Sequence, residues 1–175
     1  LAIPTTYAGS EMTSIYGITE AGLKKTGRDA RVRPKTAIYD PTLTLTLPYG
    51  LTVTSALNAI AHAAEGLYAH DGNPIVALMA EEGIRASAAA LAPLQADAQD
   101  LAARSDALYG AWLAGVCLGA VGMAIHHKIC HTLGGTFDLN HADIHALMIP
   151  YTSAYNREAA PEAMAAIARA LGTVD

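Results

Sequence analysis

The chain has 175 residues, 52% of them hydrophobic and 15% charged, with a formal net charge of −5. That composition excludes a disordered chain, and the mild acidity argues against nucleic-acid binding. Aromatic residues make up only 6% and alanine supplies much of the apolar content, so the expected interior is closely packed helices rather than an aromatic-rich β-sandwich.

Cys117 and Cys130 form no CxxC pair, which excludes a disulfide framework and a cysteine-based zinc site and suits a reducing cytoplasm. The opening Leu1-Ala2-Ile3-Pro4 has no charged region ahead of an apolar run, so no signal peptide is predicted and the start reads as the edge of a longer chain.

Residues 1–48 carry short-strand signals: a glycine turn at Ala8-Gly9-Ser10-Glu11, alternation over residues 14–19, and a second run at residues 36–39. Between those runs Lys24, Lys25, Arg28, Arg31, Arg33 and Lys35 crowd around Gly27 and Pro34, which predicts a solvated hairpin loop, with a place beside an anionic ligand as the alternative. Asp40-Pro41 and Pro48-Tyr49-Gly50 then mark a boundary, after which every pattern is helical.

The first helix is expected over residues 52–68. Asn73-Pro74 supplies a cap and a first-turn proline for the second. A long helical segment is predicted from about Ala96 to Leu133, stopped by Gly134-Gly135. Asn140 with Asp143 opens another helix through about Tyr155, and the last fits residues 161–171 before Gly172. Residues 107–127 contain no Asp, Glu, Lys or Arg and include the GxxxG of Gly115 and Gly119. Four glycines and the terminal pair His126-His127 make this stretch a buried central helix rather than a membrane span.

Five of the seven histidines fall between residues 126 and 145. His127 and His131 are four apart, as are His141 and His145, so each pair shares a helical face and converges as a metal or catalytic site requires. His62 on the first helix adds another imidazole, with Asn58 on its face where a metal site would more naturally place a carboxylate. Lys128 stands beside the cluster with the charge to hold a substrate carboxylate, or else reaches to solvent. Cys130 reads as a buried, inert thiol.

Ile3-Pro4-Thr5-Thr6, Gly9-Ser10-Glu11, Asp40-Pro41, Leu47-Pro48, the helix carrying Asn58, His62 and Glu65, and His127-x3-His131-Thr132-Leu133-Gly134-Gly135 with His141 resemble the iron-containing alcohol dehydrogenase family. Residues 4–13 and 126–135 narrow the resemblance to its maleylacetate reductase branch.

The resemblance implies a mainly α, dehydroquinate synthase-like architecture in a protein about twice this long. Residues 1–48 would be the last strands of an α/β nucleotide-binding domain, and residues 49–175 much of an all-helical catalytic domain. No glycine-rich dinucleotide fingerprint occurs in the sequence, so these residues alone would not bind a dinucleotide tightly.

The family's metal ligands map onto Asn58, His62, His127 and His141, with an amide in place of the family's aspartate. That change favours turnover without a divalent metal. The implied reaction is NADH- or NADPH-dependent reduction of the carbon–carbon double bond of maleylacetate, a small dicarboxylate. His62, His127, His131 and His141 would act at the reaction centre, with His126 and Lys128 on the substrate and Thr5, Thr6 and Ser10 on the cofactor. A homodimer is the family expectation. The rival expectations are a metal-dependent alcohol dehydrogenase of the same superfamily and a non-catalytic helical binding module.

Overall fold

The computed structural model describes residues 1–20 and 23–173; the side chains of residues 19, 20 and 23–25, Lys24 and Lys25 among them, lie outside the described residues. The architecture is mainly α. An antiparallel hairpin of β1 (Ile15–Glu20) and β2 (Leu23–Arg28) precedes α1 (Tyr49–Leu67), α2 (Pro74–Ala96), α3 (Leu101–Ala120), α4 (Ile125–Phe137), α5 (His141–Asn156) and α6 (Pro161–Ala170).

Three helices start where an N-cap side chain satisfies their free N–H groups. Asn73 accepts from Ile75 and Val76, Asp100 from Ala102 and Ala103, and Asn140 from Ala142 and Asp143. Helix α1 is buried almost all round from Thr52 to Gly66 and packs against α2, α3 and α5. Its core contacts are mostly small: Ala59, Ala63, Ala80, Ala114 and Cys117 surround Ile60, Val76 and Ile84. Short side chains let the helix axes approach closely, so dispersion contacts are dense although each residue buries little area.

Two expected elements differ. Residues 36–39 form no strand and make only a parallel bridge, Ala2 to Ala37. The strand paired with β1 is β2, so Lys24, Lys25 and Arg28 belong to a strand rather than to a hairpin loop. Gly27 permits this pairing, because a side chain there would collide with the ring of Tyr16 opposite.

The long helix predicted to Leu133 is broken at residues 121–124, and α3 and α4 diverge by 96°. Helix α4 runs through Gly134 and Gly135 and stops at Asp138, which takes the left-handed conformation that the glycines were expected to supply. Among the described residues no single helix is long and apolar enough to cross a membrane.

Gly115 and Gly119 seat the turn from Gly9 to Met12 instead of a second helix. A Cβ on Gly115 would overlap the carbonyl of Gly9, whose φ is +74°, and one on Gly119 would press on the carbonyl of Met12. Arg104, almost fully buried, pins the same region. It donates to the Tyr7 hydroxyl at 2.9 Å and to the Ala98 carbonyl at 2.9 and 3.1 Å. These contacts carry the 3-10 turn Ser10–Met12 across α3 toward the histidines.

Candidate active site

Helix α1 presents Asn58, His62 and Glu65 at intervals of four and three, which places them on one face, and all three are buried. Glu65 is 1% exposed yet fully partnered. Its carboxylate accepts from Ala124 N at 2.9 Å, His126 N at 2.7 Å and His127 Nδ1 at 2.6 Å. A negative charge at the start of α4 is favoured by the helix dipole as well as by these N–H groups. Burial raises the Glu65 carboxyl above its usual range, and the backbone N–H groups of Ala124 and His126 pull it back. His127 therefore donates its Nδ1 proton to Glu65 and turns a bare Nε2 toward the other histidines.

Behind His127 lies a second buried chain. Thr152 Oγ1 donates to the helical carbonyls of Met148 and Ile149 and sits 2.9 Å from His126 Nδ1, so His126 donates to it. His126 Nε2 is then an acceptor, 2.9 Å from His145 Nδ1. His145 is left with Nε2 as a lone pair, and that atom has no hydrogen-bond partner, like His127 Nε2, His62 Nδ1 and Asn58 Oδ1. The rings pack tightly: His62 and His127 stack with centroids 4.8 Å apart, and His145 lies 4.7 Å from His127 and 4.3 Å from His141.

Burial depresses His62, His126, His127 and His145 below the ordinary histidine value, so these four rings are uncharged at neutral pH. Cys130 Sγ is 3.7 Å from His126 Nε2, but burial pushes its thiol up to about 11, which leaves it inert as expected.

A cleft of about 510 Å³ opens onto this cluster. Its walls come from the hairpin (Ile15, Thr26, Arg28), the 3-10 turn (Ser10), α1 (Asn58, His62) and α4 to α5 (His127, Lys128, His131, His141), over a floor of Leu118, Val121 and Met123. Among the described residues no carboxylate lines it. The cations among the described lining residues are Arg28 and Lys128.

Most of the predicted residues thus meet in one place, with three exceptions. Thr5 and Thr6 are exposed and outside the cleft lining, which leaves Ser10 alone of the expected cofactor contacts on its wall. His126 is buried behind the wall, where it orients His145 instead of reaching a substrate. Glu65 was given no role from sequence, His145 only its place in a convergent pair with His141, and Arg28 only the alternative of a place beside an anionic ligand. Each had a signal: Glu65 lies three residues after His62, His145 four after His141, and Arg28 falls inside the basic run.

The family's ligand set fits a metal poorly here. Asn58 offers a neutral amide, and Glu65 is spent on two backbone N–H groups and His127. Among the described residues the groups whose ligand atoms lie close enough to hold an ion are His131, His141, His145 and His126, Cys130, His145, not the set His62, His127, His141. Two cations on the cleft wall further oppose a dication. The bare acceptor atoms of the cluster suit a water or a substrate proton.

The Fe-containing alcohol dehydrogenase family, C-terminal model matches residues 52–175, and the chain belongs to that family. The chain is 69% identical over 172 residues to maleylacetate reductase of Burkholderia cepacia, covering 98% of this chain and 49% of that protein. The crystal structure of maleylacetate reductase from Rhizobium sp. strain MTP-10005 superposes with a TM-score of 0.93 at 56% identity, over 97% of this chain and 49% of that one. An iron-containing alcohol dehydrogenase from Corynebacterium glutamicum gives a TM-score of 0.94 at 50% identity, over 98% and 48%. The chain spans about half the length of the curated relatives it matches.

Proposed function

We propose that the full-length protein reduces the carbon–carbon double bond of maleylacetate, or of a substituted maleylacetate, to give the corresponding 3-oxoadipate in the degradation of aromatic compounds. The observation that carries this is the charge of the cleft: the neutral imidazoles of His62 and His127 and the cationic side chains of Arg28 and Lys128, with no carboxylate among the described residues of its walls. Such a surface repels a divalent cation and attracts a dicarboxylate. The relatives at 69% and 61% identity named maleylacetate reductase support the same substrate.

NADH or NADPH, when bound, supplies a hydride to the alkene carbon remote from the ketone. On this chain Ser10 offers a hydroxyl, and Leu118, Val121 and Met123 an apolar floor for a flat ring. As the hydride adds, the alkene electron pair moves toward the ketone and an enolate forms, which a proton then quenches at the carbon beside the carbonyl. Lys128 holds a substrate carboxylate. His62 and His127 exclude water and position the enone, and Glu65 fixes the His127 ring through its Nδ1 proton. His131 and His141, with rings 5.7 Å apart at the open side of the cluster, bring the proton in from solvent. The buried free thiols Cys117 and Cys130 support a reducing, cytoplasmic setting.

Turnover of maleylacetate with NADH deuterated at the transferable position tests the proposal in the full-length enzyme. Deuterium is expected on the former alkene carbon. Deuterium on a new carbinol carbon would identify carbonyl reduction and overturn it.

A further inference from the structure

We propose that Arg28 binds the second carboxylate of the substrate, across the cleft from Lys128, and so makes the site selective for dianions. The inference rests on the dicarboxylate reading above. The hairpin register pairs Ile15 with Arg28 and Gly17 with Thr26, and directly paired residues project from the same side of an antiparallel ribbon. All four line the cleft. Arg28 is thus delivered by a strand and not by a loop, and the strand end is tied by the Asp29 N–H to the Ser14 carbonyl at 2.9 Å.

The neighbouring acid does not neutralise it. Asp29 is occupied by Arg31, which reaches it through Nη2 at 2.6 Å, through Nε at 3.0 and 3.1 Å, and through its backbone N–H at 2.9 Å. Among the described residues neither Arg28 nor Lys128 makes an ion pair. Two cations with no ion pair among the described residues, one on β2 and one on α4, therefore flank the imidazoles of His62 and His127 on one cleft. That arrangement suits a ligand with an anion at each end and an uncharged reacting bond between them. The planar guanidinium fork takes a carboxylate in two parallel hydrogen bonds, whereas Lys128 acts as a point charge.

A cofactor phosphate offers Arg28 similar chemistry, and the test separates the two. Full-length wild type, Arg28→Gln and Arg28→Lys are assayed with maleylacetate and with its two singly esterified forms. Arg28→Gln is expected to raise KM for maleylacetate about ten- to a hundredfold with kcat and the KM for NADH little changed. For one of the two monoesters, wild type and variant should converge, and Arg28→Lys should recover part of the loss. Equal losses on the diacid and both monoesters, or a rise in the NADH KM instead, would overturn the inference. Calorimetry with 3-oxoadipate reads the same contact without turnover: weaker binding by Arg28→Gln supports it, and equal binding overturns it. A wild type that binds 3-oxoadipate through Arg28 yet fails to reduce maleylacetate would fault the reaction assigned above and not this contact.

Discussion

Glu65 Oε2 lies 2.6 Å from His127 Nδ1, and the same carboxylate takes the N–H groups of Ala124 and His126. One side chain on α1 thereby fixes the entry to α4 and sets which nitrogen of His127 faces the reaction centre.

Glu65→Gln preserves the shape but turns one acceptor into a donor that faces N–H groups. It is expected to destabilise the fold by about 1–3 kcal/mol and to lower kcat about tenfold or more, with a smaller change in KM. Urea unfolding and steady-state kinetics read the two effects separately, and an unchanged kcat would remove Glu65 from the positioning of His127.

Stability should depend steeply on acid. His62, His126, His127 and His145 have folded-state values depressed by burial, so their contribution is fully present above the unfolded histidine value of about 6.5. It is lost as pH falls below that value, by about 1.4 kcal/mol per pH unit for each ring that stays neutral in the fold. Glu65, raised by burial, works in the opposite sense and favours the fold at lower pH, but it is one group against four. Urea midpoints measured from pH 8 to pH 5 should be level at first and then drop sharply. A flat profile would contradict neutral buried imidazoles.

Asn58→Asp places a carboxylate four residues from His62 on the buried face of α1. The variant is expected to bind Zn2+ or Fe2+ more tightly than the wild type and to turn over the dianion more slowly through charge repulsion. Elemental analysis and calorimetry with the metal alone provide the check. Equal metal affinity in both proteins would show that the amide is not what weakens the site.

Lys128 is exposed on α4, so Lys128→Gln should leave the unfolding midpoint within about 0.5 kcal/mol of wild type. Its expected effect is on substrate, with KM for maleylacetate raised about tenfold or more. A variant with unchanged KM would assign this lysine to solvent.

Local signals made much of the fold legible. Asn73-Pro74, Asn140 with Asp143, and Pro161 mark helix starts because capping is a property of a few adjacent residues. The break between α3 and α4 was not legible, since residues 107–127 read as continuous helix and the groups that hold the break are Asp71, on Gly122 N 51 residues away, and Glu65, on Ala124 N 59 residues away. The same distance effect hid part of the site. His62, His127, His131 and His141 announced themselves by spacing, whereas the opposite placement of His126 and His145 depends on Thr152, which has no signal of its own. Arg28 was obscured by the expectation of a basic loop, and only the pairing of β1 with β2 turns it to the cleft.

The proposed reduction relies on neutral His62 and His127 and on cationic Arg28 and Lys128, without a divalent metal. Its most direct test is NADH oxidation by the purified full-length enzyme with maleylacetate, before and after exhaustive chelation verified by elemental analysis. Turnover that chelation leaves unchanged is the expected result. No turnover of maleylacetate, together with oxidation of a simple alcohol that chelation abolishes and Fe2+ restores, would contradict it.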